Sequence, residues 1–227
     1  MIALTFDDGY IEHVYVARLL AKLGIRATFF LITHRKELEG KSLLTQNEEA
    51  IAEIVELGHE IGSHTCTHRV LTELSTVELV EELRNSRKFL EDVTGKEVLG
   101  LAYPYGIYNI RVIREALEYY YYARATDILP LSDPLNIRIK SKYVIGSIGL
   151  KNLHKLIVCL LDKAKKACAK PTIFIHRVNA AKLSMLLLKL RLLKMQGVEF
   201  LTLKELVEVI ERGKPLPLDI ALKIYKS

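Results

Sequence analysis

The chain has 227 residues, of which 50% are hydrophobic and 26% charged, a composition that excludes disorder and low complexity and allows a substantial core. Its formal net charge is +6, but lysine and arginine alternate with glutamate along the predicted helices, and no basic run with interleaved aromatic residues indicates a nucleic-acid partner. The 3 cysteines have neither the spacing of a zinc cluster nor that of a disulfide framework, and we interpret them as small buried residues.

Short apolar runs alternate with longer amphipathic segments along most of the chain. The runs are rich in β-branched and aromatic residues, which predicts strands over 2–6, 27–32, 59–63, 98–103, 119–125, 143–148, 172–176 and 198–201. The segments place apolar residues three and four positions apart, which predicts helices over 48–57, 76–93, 109–117, 153–167 and 182–195. Two further helices are predicted, one through His13 and one over 204–212.

This alternation favours parallel strands joined by right-handed crossovers. For a chain of this length it predicts a single α/β domain, an incomplete or closed (β/α)7–8 barrel, with an open doubly wound sheet as the alternative. We place the barrel at 1–212 and assign 213–227, which contains Pro215 and Pro217, to a tail that is a candidate docking helix. The segment 129–142 is predicted to be a loop bordering a substrate groove.

Residues suited to catalysis follow several of the predicted strands. Asp7 and Asp8 follow the first strand, His64 the third and Pro104 the fourth, and His176 closes the seventh. In a barrel of parallel strands these positions converge on one mouth. The remaining histidines lack this support. We interpret three of them as structural or exposed, namely His13, His59 and His154, while His34 follows the second strand without a surrounding motif.

The pattern around the first and third strand ends is typical of a metal site. Two adjacent carboxylates in a partly dry pocket repel each other unless a cation or donors offset their charge, although a solvated pair capping a helix is the alternative. His64 and His68 have the i, i+4 spacing at which two imidazoles converge on one ion, a spacing that surface histidines also show. With Asp8 they form a His₂Asp set that leaves one coordination position open for water, as a catalytic zinc requires.

Two other motifs are compatible with amide hydrolysis. The run Ala102-Tyr103-Pro104-Tyr105-Gly106 predicts a rigid turn that would aim the Tyr105 N–H at an oxyanion, with an ordinary strand-to-helix turn as the alternative. His176 ends a very apolar strand, and its imidazole could protonate a departing amine, although a structural histidine at the rim fits the same pattern.

In order and spacing, these motifs resemble those of the NodB-homology polysaccharide deacetylases, carbohydrate esterase family 4. The resemblance covers most of the chain. It rests on the T-F-D-D-G strand end at 5–9, the two histidines of the run 64–68, the Pro-Tyr-Gly turn at 104–106 and the histidine that ends the run 173–176.

The resemblance implies a distorted (β/α) barrel and a single divalent metal ion, zinc above all, held by three ligands, Asp8, His64 and His68. It also implies three catalytic roles in the hydrolysis of an acetamido group: general base, backbone oxyanion donor and general acid, for Asp7, Tyr105 and His176 respectively.

The chain departs from the family at the residues that support two of these roles, the general base and the general acid. Many members carry an arginine that pairs with the base where this chain has Ala102, and Arg124, at the end of the next strand, is the candidate replacement. The family often lines its groove with Asp and Trp, but this chain has no Trp, and Asp127 is the candidate to orient His176. Arg177 would either meet an anionic substrate or lie in solvent.

The leading hypothesis is therefore a zinc-dependent deacetylase acting on an N-acetylated sugar or oligosaccharide. Two alternatives stay open: a hydrolase of a non-sugar amide such as a cyclic imide or ureide, and a catalytically silent carbohydrate-binding relative. The chain starts within a strand pattern and shows no signal-peptide pattern, so we expect a cytoplasmic protein without a nucleic-acid or membrane partner. Homo-oligomerisation stays open.

Overall fold

The computed structural model of the chain describes residues 1–126, 139–149, 172–177 and 179–213. The helices in these ranges are α1 His13–Lys22, α2 Glu48–Glu56, α3 Thr76–Thr94, α4 Ile110–Tyr119, α5 Ala180–Met195 and α6 Leu203–Gly213. The first strands are β1 Ile2–Phe6, β2 Thr28–Leu31, β3 Glu37–Leu38, β4 Lys41–Ser42, β5 Glu60–Ser63 and β6 Gly100–Ala102. They are followed by β7 Tyr122–Arg124, β8 Ile139–Ser141, β9 Val144–Ile145, β10 Ile148–Gly149, β11 Thr172–Ile175 and β12 Phe200–Leu201.

The main sheet is mostly parallel and has the strand order β10-β11-β1-β2-β5-β6-β7-β9-β8, with β12 beside β1. Among the described strands of this sheet, β8 and β9 are the pair that runs antiparallel. The register aligns the carboxyl ends of neighbouring strands, since the paired residues include Phe6 with Ile175, Leu31 with Ser63, and Ala102 with Arg124. The loops that follow these strands therefore begin at the same edge.

The sheet curls so that side chains from distant strands meet inside it. The Arg124 guanidinium, on β7, lies 5.4 Å from the ring centroid of Phe30 on β2 and 5.6 Å from that of Phe174 on β11. These contacts cross the sheet from one side to the other, as the interior of a barrel does. The architecture is thus the predicted distorted (β/α) barrel and not the open doubly wound sheet.

Alternate residues of the strands face two different cores, as the period of a strand requires. On β1, Ile2, Leu4 and Phe6 pack outward against the helices, while Ala3 belongs to the interior cluster. Helix α6 contributes three buried residues to that interior cluster, Leu203, Leu206 and Val207. Leu203 N donates to Thr28 Oγ1 and Lys204 N donates to Glu60 Oε2, at the first residues of β2 and β5, so α6 begins at the end of the barrel opposite the strand carboxyl ends.

The structure differs from the sequence predictions at three places. The predicted strand 143–148 is two short strands, β9 and β10, and residues 139–141 of the predicted loop 129–142 form β8. Among the described strands, β8 lies at the edge of the sheet beside β9. An edge strand does not need the apolar run by which a buried strand is predicted. The hairpin of β3 and β4 was not predicted, because its residues are mostly exposed and polar.

Several predictions fall partly or wholly outside the described residues. These are the helix over 153–167, the interpretations of His154, Cys159 and Cys168, residues 129–138 of the predicted groove loop, the placement of Asp127 and the tail from 214 onward. Within the ranges that the structure describes, none of the helices has the length and apolar character that crossing a membrane requires.

Candidate metal centre and active site

The turn after β1 places two carboxylates at the mouth of the barrel. Asp8 and Gly9 both have positive φ, 72° and 78°. A Cβ on Gly9 would lie 2.8 Å from Leu31 Cδ2 and 3.3 Å from Leu31 Cα, so the turn is tightly packed and its positive φ favours glycine. This tight turn buries Asp7 and Asp8, which are 2% and 3% exposed.

Asp8, His64 and His68 converge at this mouth. Asp8 Oδ1 lies 3.6 Å from His64 Nε2 and 3.7 Å from His68 Nε2, and the three side chains are at most 9% exposed. Their ligand atoms all lie within 4.8 Å of one another, which makes these three residues the candidate metal-binding group in the described part of the chain. The structure thus brings the three predicted ligands together.

Both imidazoles are prepared to act as neutral ligands. Burial lowers the pKa of His64 to about 3 and that of His68 to about 4, so their proximity to Asp8 is not an ion pair at neutral pH. His64 Nδ1 lies 2.8 Å from the Ala102 carbonyl oxygen. A neutral ring donates from Nδ1 to that carbonyl, which leaves the Nε2 lone pair facing Asp8.

These residues fit a divalent metal ion. Asp8 Oδ1 is buried and has no hydrogen-bond partner among the described residues, although two imidazole nitrogens face it. Ligand atoms bound to one tetrahedral zinc at about 2.0–2.1 Å lie roughly 3.4 Å apart, close to the separations here. Burial, and then the neighbouring charge of Asp7, raise the pKa of Asp8 in the absence of a cation. A bound cation would offset both costs.

Asp7 is held by Arg124, as predicted for the replacement of the missing family arginine. Arg124 Nη2 lies 2.7 Å from Asp7 Oδ2, and the guanidinium is 1% exposed. Burial alone would raise the pKa of Asp7, but the opposing attraction and hydrogen bond of the Arg124 guanidinium leave it lowered. Asp7 Oδ1 has no hydrogen-bond partner among the described residues. Asp7 is therefore an ionised carboxylate with one oxygen anchored and the other available.

Ser147, which the sequence reasoning missed, orients Arg124. Arg124 Nη1 donates to Ser147 Oγ at 2.9 Å, and that hydroxyl in turn donates to the Ala125 carbonyl at 2.8 Å. Ser147 lies between β9 and β10 and is fully buried. A single serine at the break between two short strands has no sequence pattern that reveals this contact.

His176 lies at the same mouth but reaches solvent. Its Nε2 is 3.9 Å from Asp7 Oδ2, and its side chain is 53% exposed. The buried His13, interpreted from sequence as structural or exposed, has its Nε2 2.7 Å from the His176 carbonyl oxygen. His13 is thus a structural residue that anchors the backbone of His176. Asp127, predicted to orient His176, lies outside the described residues.

Tyr105 follows β6 in the predicted turn. It has φ 58°, a left-handed conformation that is uncommon for a tyrosine. Its exposed ring lies 4.6 Å from that of His68, centroid to centroid, so the turn borders the metal centre. Pro104 is buried at the start of the turn. The backbone hydrogen bonds here use the N–H groups of Gly106 and Ile107, and within the described part of the chain the Tyr105 N–H takes part in none.

Three other predicted residues lie apart from the centre. His34 is exposed and bonds through Nδ1 to the neighbouring Thr33 hydroxyl at 2.7 Å. His59 is a buried structural residue, which accepts a hydrogen bond from Ala27 N and contacts the Ala17 carbonyl oxygen. Arg177 pairs with Glu12 at 3.3 Å, so its Nε has a partner within the chain.

Fold and site together define a class of protein: a (β/α) barrel with a candidate divalent-metal centre and an adjacent buried carboxylate at its mouth. The chain belongs to the polysaccharide deacetylase family, whose sequence model matches residues 1–123. That match includes Asp7, Asp8, His64, His68 and Tyr105.

Comparison with individual relatives agrees with this assignment. The chain is 32% identical over 217 residues to the peptidoglycan-N-acetylglucosamine deacetylase PgdA of Listeria monocytogenes, covering 94% of this chain but only 40% of that protein. The structure of peptidoglycan deacetylase PdaC from Bacillus subtilis matches with a TM-score of 0.65 and 21% identity, over 96% of this chain and 95% of that one.

The fold alone does not separate active from inactive proteins. A family 4 pseudoenzyme from Bacillus anthracis matches with a TM-score of 0.66 and 19% identity, over 91% of this chain and 65% of that one. Activity must therefore be inferred from the residues at the mouth.

Proposed function

We propose that the chain is a metal-dependent hydrolase that removes the acetyl group from an N-acetylated sugar or oligosaccharide by cleaving the C–N amide bond. The observation that supports this most directly is the buried group of Asp8, His64 and His68 beside the anchored carboxylate of Asp7. The peptidoglycan-N-acetylglucosamine deacetylase named above supports the substrate class.

Asp8, His64 and His68 would hold one divalent ion, and zinc suits two imidazoles and a carboxylate best. When bound, such an ion polarises a carbonyl group and makes water more acidic. The neutral histidines and the unpartnered Asp8 oxygen are what this ligand set requires.

The chain's own residues would carry the proton transfers. Asp7 is ionised at neutral pH because Arg124 neutralises its neighbourhood, and its free Oδ1 accepts the proton of the attacking water. The Tyr105 N–H donates to the oxygen of the tetrahedral species. His176, exposed at the rim, donates a proton to the departing amine, which leaves with acetate as the second product.

Two alternatives are outcomes of the same test. A non-sugar amide such as a cyclic imide is the alternative substrate class, because the chain has no Trp to line a sugar groove. A silent carbohydrate-binding protein is the other alternative, since the fold also occurs in a pseudoenzyme.

The test incubates the zinc-loaded full chain with N-acetylated chito-oligosaccharides, an N-acetylated monosaccharide and a cyclic imide, and measures released acetate or free amine and opening of the imide. We expect acetate release from a sugar, lost in His64→Ala and kept in His34→Ala, which removes an exposed histidine outside the metal group. Turnover of the imide alone would support the second substrate class. No turnover with metal bound would support the binding protein.

A further inference from the structure

The loop that carries both candidate histidine ligands has an unusual backbone. Thr65 and His68 have φ of 68° and 59°, a region in which a β-branched residue such as threonine is a genuine outlier. Such a conformation persists only where surrounding contacts hold it. The loop between His64 and His68 therefore depends on its neighbours.

One side of this loop is held by the segment that follows β2. Thr33 N donates to the Thr65 carbonyl at 3.1 Å, and His34 N donates to the Cys66 carbonyl at 2.8 Å. These bonds use the carbonyl groups of the loop. The N–H groups of Thr65 and His68 donate to Ser63 Oγ and Thr65 Oγ1, both at 3.1 Å, which leaves those of Cys66 and Thr67 in need of a partner.

That partner is Glu82, on α3. Its Oε2 accepts hydrogen bonds from the consecutive backbone N–H groups of Cys66, at 2.8 Å, and Thr67, at 2.9 Å. Its Oε1 accepts from the Thr67 hydroxyl. One carboxylate thus holds two successive amides and a side chain of the residue directly before His68.

Burying the Glu82 carboxylate at this position of α3 costs folding free energy, so its presence there indicates a role. It is 6% exposed and lies on the buried stripe of α3 with Leu79, Leu83 and Leu90. Within the described part of the chain, no lysine or arginine lies within salt-bridge distance of it. An apolar residue would pack on this stripe without the cost of desolvating a charge. Stability of the core alone does not account for the carboxylate.

We propose that Glu82 is a positioning residue for the metal centre: by holding the Cys66 and Thr67 amides, it sets the placement of His68 relative to His64 and Asp8. It acts through the loop backbone and contacts neither substrate nor metal. This inference rests on the proposed metal site. Its consequence is that the affinity and coordination geometry of the bound ion depend on a side chain of α3.

The test measures zinc affinity of the metal-free full chain by competition with a chelator, for wild type, Glu82→Gln and Glu81→Gln. In Glu82→Gln, an NH₂ group replaces one of the two acceptor oxygens and the charge is lost, so the one remaining oxygen accepts from the loop only as a neutral group. We expect zinc affinity to fall roughly 10- to 100-fold, as for other residues that orient metal ligands. Glu81→Gln removes the same charge from an exposed neighbour on the same helix and should bind zinc like wild type.

The absorption spectrum of the cobalt-substituted protein provides a readout that stability alone would not change. We expect an altered spectrum in Glu82→Gln and a wild-type spectrum in Glu81→Gln. Should Glu82→Gln fail to fold, Thr67→Val removes one of the three bonds and should weaken zinc binding about fivefold, the equivalent of one hydrogen bond.

If Glu82→Gln folds and has the zinc affinity and cobalt spectrum of wild type, the proposal is overturned but the metal site is not. If Glu82→Gln does not fold, the same result in Thr67→Val overturns the proposal. If the wild-type chain does not bind zinc, the metal site itself is overturned. The failure of the metal site is therefore distinguishable from the failure of the role proposed for Glu82.

Discussion

At the scale of single residues, the two adjacent aspartates have opposite environments. Arg124 bonds one oxygen of Asp7, whereas Asp8 faces two neutral imidazoles. The pKa of Asp7 is lowered and that of Asp8 is raised. Asp7 is thereby prepared as a proton acceptor, and Asp8 as a ligand whose charge requires a cation.

Replacing Asp7 by asparagine should separate these two functions. Asp7→Asn keeps the size of the side chain but removes the proton acceptor, so we expect full metal content and a loss of deacetylation on the order of 10²-fold or more. Metal analysis and acetate release on the same preparation check both expectations. A turnover equal to that of wild type would eliminate Asp7 as the base.

Arg124→Gln should move the pH profile in a defined direction. Without the guanidinium, burial raises the pKa of Asp7, and the base has to be deprotonated to act. The acid limb of the pH–rate profile should therefore shift to higher pH. Ser147→Ala, which removes only the support of Arg124, should shift the limb less in the same direction. An unmoved limb in Arg124→Gln would show that Asp7 does not titrate in that limb.

Much of this site is predictable from residue types and order, but its supports are not. Asp7, Asp8 and His64 stand out because they follow predicted strands, and His68 stands out because it lies four residues after His64. Ser147, by contrast, acts through one hydroxyl at a strand break and has no pattern of its own. Glu82 does carry a signal in the sequence, since a carboxylate on the apolar stripe of a helix needs an internal partner.

At the scale of elements, the register of the strands explains why distant residues meet. Parallel neighbours end together, so turns after β1, β5 and β6 begin at one edge. The boundaries of the buried strands follow from their apolar runs. Strands β8, β9 and β10 have 3, 2 and 2 residues and are too short for such a signal. Pairing with neighbouring strands holds them in place instead.

The turn after β1 provides a prediction at this scale. Gly9→Ala would place a methyl group 2.8 Å from Leu31 Cδ2 at a φ of 78°, whereas Gly40→Ala has a similar φ of 68° and no atom within 4 Å. In both variants the free energy of unfolding should fall by about 1–2 kcal/mol, because alanine is disfavoured in the left-handed conformation. Gly9→Ala alone should lower the free energy of unfolding further, because of the contact with Leu31. It alone should also weaken zinc binding, because its turn carries Asp8. Denaturant unfolding and zinc titration compare the two, and equal effects would contradict a tightly packed turn.

At the scale of the whole molecule, the barrel is a scaffold shared by enzymes and a pseudoenzyme, so function depends on what lies at its mouth. The barrel could be predicted because strands and helices alternate along the chain. The boundary at 212 and the docking role of the tail stay predictions, as does the cytoplasmic location. The chain spans 40% of the length of its Listeria relative, so the activity of that whole protein is not transferred directly.

The most direct test of the account is the metal content of the full chain after zinc loading and dialysis. We predict one zinc per chain in wild type and in His34→Ala, and none in His64→Ala, because two remaining ligands do not retain the ion. Stoichiometric zinc in His64→Ala, or no zinc in the wild type, would contradict the assignment of Asp8, His64 and His68 as the metal centre.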